Sequence, residues 1–138
     1  MMFPEALISD DLDIAARTVW GEARGEGPEG MLAVAHVIRN RAEKSGWWGD
    51  TLETVCKKKW QFSCWNENDP NRQKLLDLDK KSDGYFQALS AVAMALVSDD
   101  DPTNGSCHYH TKGVKPAWSE GHDPAANIGN HLFFAGIK

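Results

Sequence analysis

Apolar residues recur at helical spacing in three stretches of the chain. Leu12, Ala15, Ala16 and Val19 form the first stripe, with Asp10 or Asp11 placed to cap it and Gly25 and Gly27 to interrupt it. Met31, Val34, Ala35 and Ile38 form the second. Pro28 stands at its first helical position and Glu29 in its first turn, and it runs to about Glu43 before Gly46 ends it. From about Tyr85 to Val97 the chain is apolar almost all round, which predicts a buried central helix whose alanines let neighbours approach closely. Asp50 followed by Glu53 resembles a capping box for a short helix through Val55 and Cys56. Trp60 to Asn71 is aromatic and turn-rich, and Asp99 to Gly105 is a turn. The remainder, with its glycines, prolines and aromatics, reads as loops and short extended pieces. The pattern predicts a mainly α fold with a small β or irregular part. With no repeat, linker or composition break, residues 1–138 read as one domain.

Composition narrows the function. The 138 residues are 41% hydrophobic and 25% charged, ordinary for a soluble globular domain. The net charge of −5 argues against a nucleic-acid partner, which a basic excess would serve, and offers no long-range attraction to an anionic polymer. The three cysteines, Cys56, Cys64 and Cys107, do not form a disulfide framework. No apolar run approaches the roughly 18 residues of a membrane span. Met1 to Asp13 lacks the basic start and apolar stretch of a signal peptide. The expectation is a monomer made in the cytoplasm, without stable membrane insertion and without a cofactor. Six tryptophans outnumber the five phenylalanines and two tyrosines, and Trp suits stacking on sugar rings or bases.

The chemistry gathers at Trp20-Gly21-Glu22-Ala23-Arg24-Gly25-Glu26-Gly27. Glu22 lies three residues after Val19, at the edge of the buried stripe and near the end of the first helix. Burial and the negative end of a helix dipole both disfavour the charged form of a carboxyl, as a glycosidase acid requires. Arg24 opposes this if it points at Glu22. The glycines suit a tight bend that admits a bulky polymer. The plainer alternative is that Glu22 and Glu26 are solvated charges at a helix end.

The segment "ARTVWGEARGEGPEGMLAVAHVIRNR", residues 16–41, resembles the opening of the SleB-type cell-wall hydrolase family, which includes spore-cortex-lytic enzymes and stand-alone phage endolysins. Gln61-Phe62-Ser63-Cys64-Trp65, Cys107-His108-Tyr109-His110 and Ile128-Gly129-Asn130-His131-Leu132-Phe133-Phe134 agree with it. The resemblance implies a lysozyme-like or lytic-transglycosylase-like domain that attacks the bond after N-acetylmuramic acid in peptidoglycan, with Glu22 as the acid. It favours a phage or prophage endolysin, released to act on the periplasmic wall. A transglycosylase needs one carboxyl, which gives and then takes a proton. A hydrolase normally needs a second, for which Glu26, four residues on, is the candidate.

Gln61 and Ser63 are candidate ligands for sugar hydroxyl and acetamido groups or orienters of Glu22; a polar turn is the alternative. Tyr109, supported by His108 or His110, is a candidate contact to the reacting region, against a plain strand tyrosine. Asn130 and His131 are expected to fasten the C-terminal segment. Of Trp47, Trp48, Trp60, Trp65 and Trp118, one or two are expected in the cleft, Trp65 first among them. Two other function classes compete. One is a zinc amidase on His108, His110 and His122 with Cys107, although no H-E-x-x-H or C-x-x-C accompanies them, so no metal site is expected. The other is a non-catalytic wall-binding module using the tryptophans.

Overall fold

A computed structural model describes residues 8–137; residues 1–7, part of the N-terminal stretch just read for a signal peptide, lie outside it. Five helices, α1 (Asp10–Ala23), α2 (Gly27–Lys44), α3 (Leu52–Lys57), α4 (Pro70–Asp77) and α5 (Asp83–Val97), precede three short strands, β1 (His108–Thr111), β2 (Ala126–Ile128) and β3 (His131–Phe134). One-turn 3-10 segments stand at Ser63–Trp65 and Ala117–Ser119. The fold is mainly helical, as the periodicity predicts.

Helix ends differ from expectation by a residue or two, for local reasons. Ser9, not an aspartate, caps α1 by accepting from the Leu12 amide, which leaves Asp10, Asp11 and Asp13 in the first turn, where the dipole favours anions. Asp11 instead accepts from the Glu53 amide in the first turn of α3. The box that starts α3 is Thr51 with Thr54, rather than Asp50 with Glu53. Ser45, in the left-handed region at φ 50°, caps α2 just before Gly46. Helix α4 gives no periodic signal in the sequence, because its eight residues carry one buried apolar side chain, Leu75.

The central helix is α1, not α5. It packs against α2, α3, α4, α5 and the Ser63–Trp65 turn. Helix α5 buries Tyr85, Ala88, Leu89, Ala91, Val92 and Ala95 against α1 and α2 but leaves Met94, Leu96 and Val97 exposed. Arginines fasten the assembly by reaching foreign helix ends. Arg17 Nη1 donates to the carbonyls of Leu75 and Leu78 at the end of α4, and Arg39 Nη1 to those of Ala95 and Ser98 at the end of α5. Both place positive charge at the negative end of a helix dipole.

The sheet is antiparallel with order β1-β3-β2. Because side chains alternate, Tyr109, His131 and Phe133 share one face, where Phe133 packs on Ala33 and Val37 of α2. His108, His110, Leu132 and Phe134 share the other. The loop before β1 is anchored to α2 by two consecutive residues. Asn40 Nδ2 donates to Asp101 (2.8 Å) and to the Ser106 carbonyl (2.9 Å), and Arg41 Nε to the Cys107 carbonyl (2.7 Å). That anchoring aims Tyr109 at the end of α1.

Candidate active site

Glu22 stands in the last turn of α1, partly buried. The Tyr109 hydroxyl donates to its Oε1 at 2.5 Å. Burial, then the nearby Glu22 carboxylate, pushes the Tyr109 phenol well above its ordinary range, so it keeps the proton it donates to Glu22. The Cys64 thiol stands near enough to feel Glu22. Burial and the same carboxylate push that thiol up too, so it remains S–H.

Gly21 makes this approach possible. It is helical, not part of a bend, and its role is close approach. A Cβ there would stand 2.6 Å from Leu75 Cδ2 and 3.2 Å from Cys64 Sγ. The missing side chain admits α4 and the Ser63–Trp65 turn against α1 beside Glu22. Arg24 turns away from Glu22, lying over the Trp20 ring and donating to Asn71.

Glu26 is not one helical turn from Glu22. Helix α1 stops at Ala23 and Glu26 is the N-cap of α2, so the four-residue spacing does not carry over. Its Oε1 accepts from the Asn130 amide (2.7 Å) and lies 3.1 Å from His131 Nδ1. A Cβ at Gly129, whose φ is +56°, would meet the same oxygen at 2.9 Å. Glu26 thus ties the β2–β3 turn to the start of α2 through the Asn130 backbone amide, with the His131 ring beside it.

The Gln61–Trp65 segment does lie beside α1, but the residue it brings near Glu22 is Cys64, whereas Ser63 is exposed and Gln61 partly so. The Trp65 indole N–H is committed to Thr18 Oγ1 (2.8 Å), and its ring packs against the core. Trp48 is buried, with its indole N–H on the Arg41 carbonyl. Trp47 and Trp60 are exposed, at 58% and 71%, with Trp48 beside the first and the Lys59 ammonium over the second. His108 is on the sheet face away from Glu22, between Trp48 and Trp118. Burial, then Arg41 and Lys44, lowers it to about 4, so it is neutral at neutral pH. His110 stacks on Phe134 and edges Trp118 at the rim of a cavity of about 520 Å³, which His122 also lines. A second cavity, about 530 Å³, lies between Arg39–Lys44 and Asp99–Gly105. Glu22 lines neither. Among the described residues no three His, Cys, Asp or Glu side chains are placed to share a metal ion, so the four candidate zinc ligands are not gathered.

Sequence reasoning missed Cys64 and Arg41. Arg41 carried a signal, because Val34, Ile38 and Arg41 follow i, i+4, i+7, which puts a charge on the buried stripe of α2.

Helices clustered on α1, with a small antiparallel sheet aiming a tyrosine at its end, form the fold of a spore-type wall-lytic catalytic domain. The chain superposes with TM-score 0.74 on the catalytic domain of the germination-specific lytic transglycosylase SleB from Bacillus anthracis, at 26% identity over 96% of this chain and 100% of that one. The catalytic domain of the Bacillus cereus SleB protein gives 0.75, also at 26% identity, over 96% of this chain and 94% of that one. The chain belongs to the cell wall hydrolase family, whose match spans residues 25–134. It is also 28% identical to the spore cortex-lytic enzyme of Oceanobacillus iheyensis across 94% of its own length, and spans 43% of that relative. Among the described residues no helix is long and apolar enough to cross a membrane.

Proposed function

We propose that this protein cleaves the glycan strand of peptidoglycan after N-acetylmuramic acid as a lytic transglycosylase, with Glu22 as its single acid and base. The observation that carries the reading is the Tyr109 hydroxyl on Glu22 Oε1. It occupies one carboxyl oxygen and leaves Oε2 to hold the proton that moves. That proton goes to the glycosidic oxygen as the bond from muramic C1 breaks. The carboxylate then takes the proton of the C6 hydroxyl, whose oxygen closes on C1 to give a 1,6-anhydro ring. No water is consumed, so a second carboxylate is unnecessary, in keeping with the engagement of Glu26 by Asn130 and His131. The similar Bacillus anthracis domain belongs to a lytic transglycosylase, which supports the same chemistry here.

Mass spectrometry of digested peptidoglycan tests this. Muropeptides ending in anhydro-muramic acid, lighter by one water than reducing ends, are expected. Glu22→Gln is expected to fold and to lose wall lysis. Reducing ends throughout would make the enzyme a muramidase, and full lysis by Glu22→Gln would remove the acid assignment.

Gln61, Ser63 and Trp65 remain the proposed substrate-side residues, whereas Tyr109 is engaged with Glu22 and His108 faces away from it, between Trp48 and Trp118. Of these, Trp65 has only its ring to offer, since its N–H is committed to Thr18. The biological setting we propose is an endolysin acting on the periplasmic wall, supported by the resemblance of residues 16–41 to stand-alone phage endolysins. Expression in a Gram-negative host should give lysis only once the inner membrane is permeabilised.

A further inference from the structure

The cavity of about 520 Å³ lies on the sheet face away from Tyr109, and the chemistry proposed above makes no use of it. Leu132 and Phe134 of β3 and His110 of β1 form one side; the loop from β1 to β2 forms the other and brings Lys115 and Glu120. Its volume is in the range of small-ligand sites. The loop is held without a ligand. The Lys112 amide donates to the Asn130 carbonyl at one end, and the Ala125 amide to the Phe133 carbonyl at the other. Between them Ser119 closes a turn on the Pro116 carbonyl through both its amide and its hydroxyl.

The charged groups of the cavity are unpaired. Among the described residues no carboxylate lies within 4 Å of the Lys115 ammonium, and no cation lies within 4 Å of the Glu120 carboxylate. The His110 ring has a fixed sense. Its Nδ1 stands 2.7 Å from the Thr111 carbonyl, which can only accept, so Nδ1 donates and Nε2 of the neutral ring is left as an acceptor. The rings offer no open face for a sugar: His110 stacks on Phe134 at 5.2 Å, Trp118 stands edge-on to it, and Phe134 is 3% exposed. A fitting ligand has an apolar body for Leu132 and the loop prolines Pro116 and Pro124, a carboxylate for Lys115, an ammonium for Glu120 and an amide N–H for His110. That is the chemistry of a short charged peptide.

We propose that this cavity takes the peptide stem of peptidoglycan, the branch that carries a free ammonium on one residue and ends in a carboxylate. The proposal rests on peptidoglycan being the polymer. The edge strand β1 then serves both parts of the substrate. Tyr109 partners Glu22 on one face, and the next residue, His110, lines the stem site on the other.

The experiment is an NMR titration of the 15N-labelled chain with the N-acetylated stem tetrapeptide L-Ala-γ-D-Glu-meso-diaminopimelate-D-Ala, beside a peptide-free N-acetylglucosamine oligomer. The peptide should shift the amides of His110 and of residues 115–122 saturably, and the oligomer should leave them in place. Lys115→Met and Glu120→Gln should each weaken the peptide about three- to fivefold, the worth of one exposed ion pair. Both side chains are exposed, so neither substitution disturbs the core. Amidating the terminal carboxyl should cost the wild-type chain a similar factor and Lys115→Met little more, since both changes remove one pairing. No saturable shift at millimolar peptide, shifts confined to other residues, cavity shifts from the oligomer, unchanged affinity in either variant, or an equal loss on amidation in Lys115→Met would each overturn the proposal. Failure of the polymer assignment reads differently: a chain that leaves purified peptidoglycan uncut while the peptide still fills the cavity loses the proposed function and keeps this site.

Discussion

The hydroxyl of Tyr109 and the carboxylate of Glu22 meet at 2.5 Å across 87 residues of chain, joining the first strand to the end of the first helix. Tyr109→Phe keeps the ring and its stacking on Phe133 but removes the donor. The expected result is a kcat lower by about 10²-fold, within the range for loss of an acid–base partner, with little change in KM. Stability should fall by about 1.5–3 kcal/mol, the worth of a hydrogen bond to a charged group. Steady-state kinetics beside urea denaturation check both, and an unchanged kcat would show that the contact is structural only.

Gly21→Ala sets two effects against each other. Helix propensity favours alanine by about 1 kcal/mol, but the new Cβ meets Leu75 and Cys64, both buried. Overpacking of this kind costs about 1–3 kcal/mol, so the variant is expected to be less stable. It should also lose activity as Cys64 is pushed from Glu22. A higher urea midpoint with full lysis would show that the packing there is loose.

The loop before β1 makes stability depend on pH. Burial raises Asp101, but hydrogen bonds from Asn40, Thr103 and Gly105 outweigh it and hold the carboxyl below its ordinary range. Its contribution is full above the unfolded value of about 3.9 and is lost as pH falls through the folded one. His36 and His108 are lowered chiefly by burial, His108 to about 4. The unfolded chain therefore takes up their protons near pH 6.5 while the folded chain does not, and stability declines from there downward. Melting temperature should fall between pH 6.5 and 4, less steeply in His108→Gln; parallel curves would contradict the assignment to His108.

Chelation separates the two enzyme classes. The carboxyl mechanism predicts unchanged lysis after EDTA treatment and dialysis. Activity lost to EDTA and restored by zinc would return the histidines to consideration.

Local pattern was sufficient for much of this architecture. The stripes through Leu12–Val19 and Met31–Ile38 specify α1 and α2, because a helix of period 3.6 needs only near neighbours to declare its buried face. The Trp20–Gly27 stretch likewise puts Glu22 near the end of α1, where the structure has it, although its role is read only from the resemblance. The short pieces were less legible: α4 has one buried apolar residue, and strands of three or four residues leave no period to read.

Packing decided which helix is central, since a run apolar all round, like α5, reads as core until its neighbours are placed and Met94, Leu96 and Val97 are found uncovered. Packing also chose the company of Glu22. Tyr109 and Cys64 come from two separate segments, brought to α1 by a glycine that admits a close approach and by two α2 side chains that hold a loop. Periodicity is set by neighbours within a turn or two, whereas a site built from residues 42 to 87 positions away from Glu22 exists only once the chain has closed on itself.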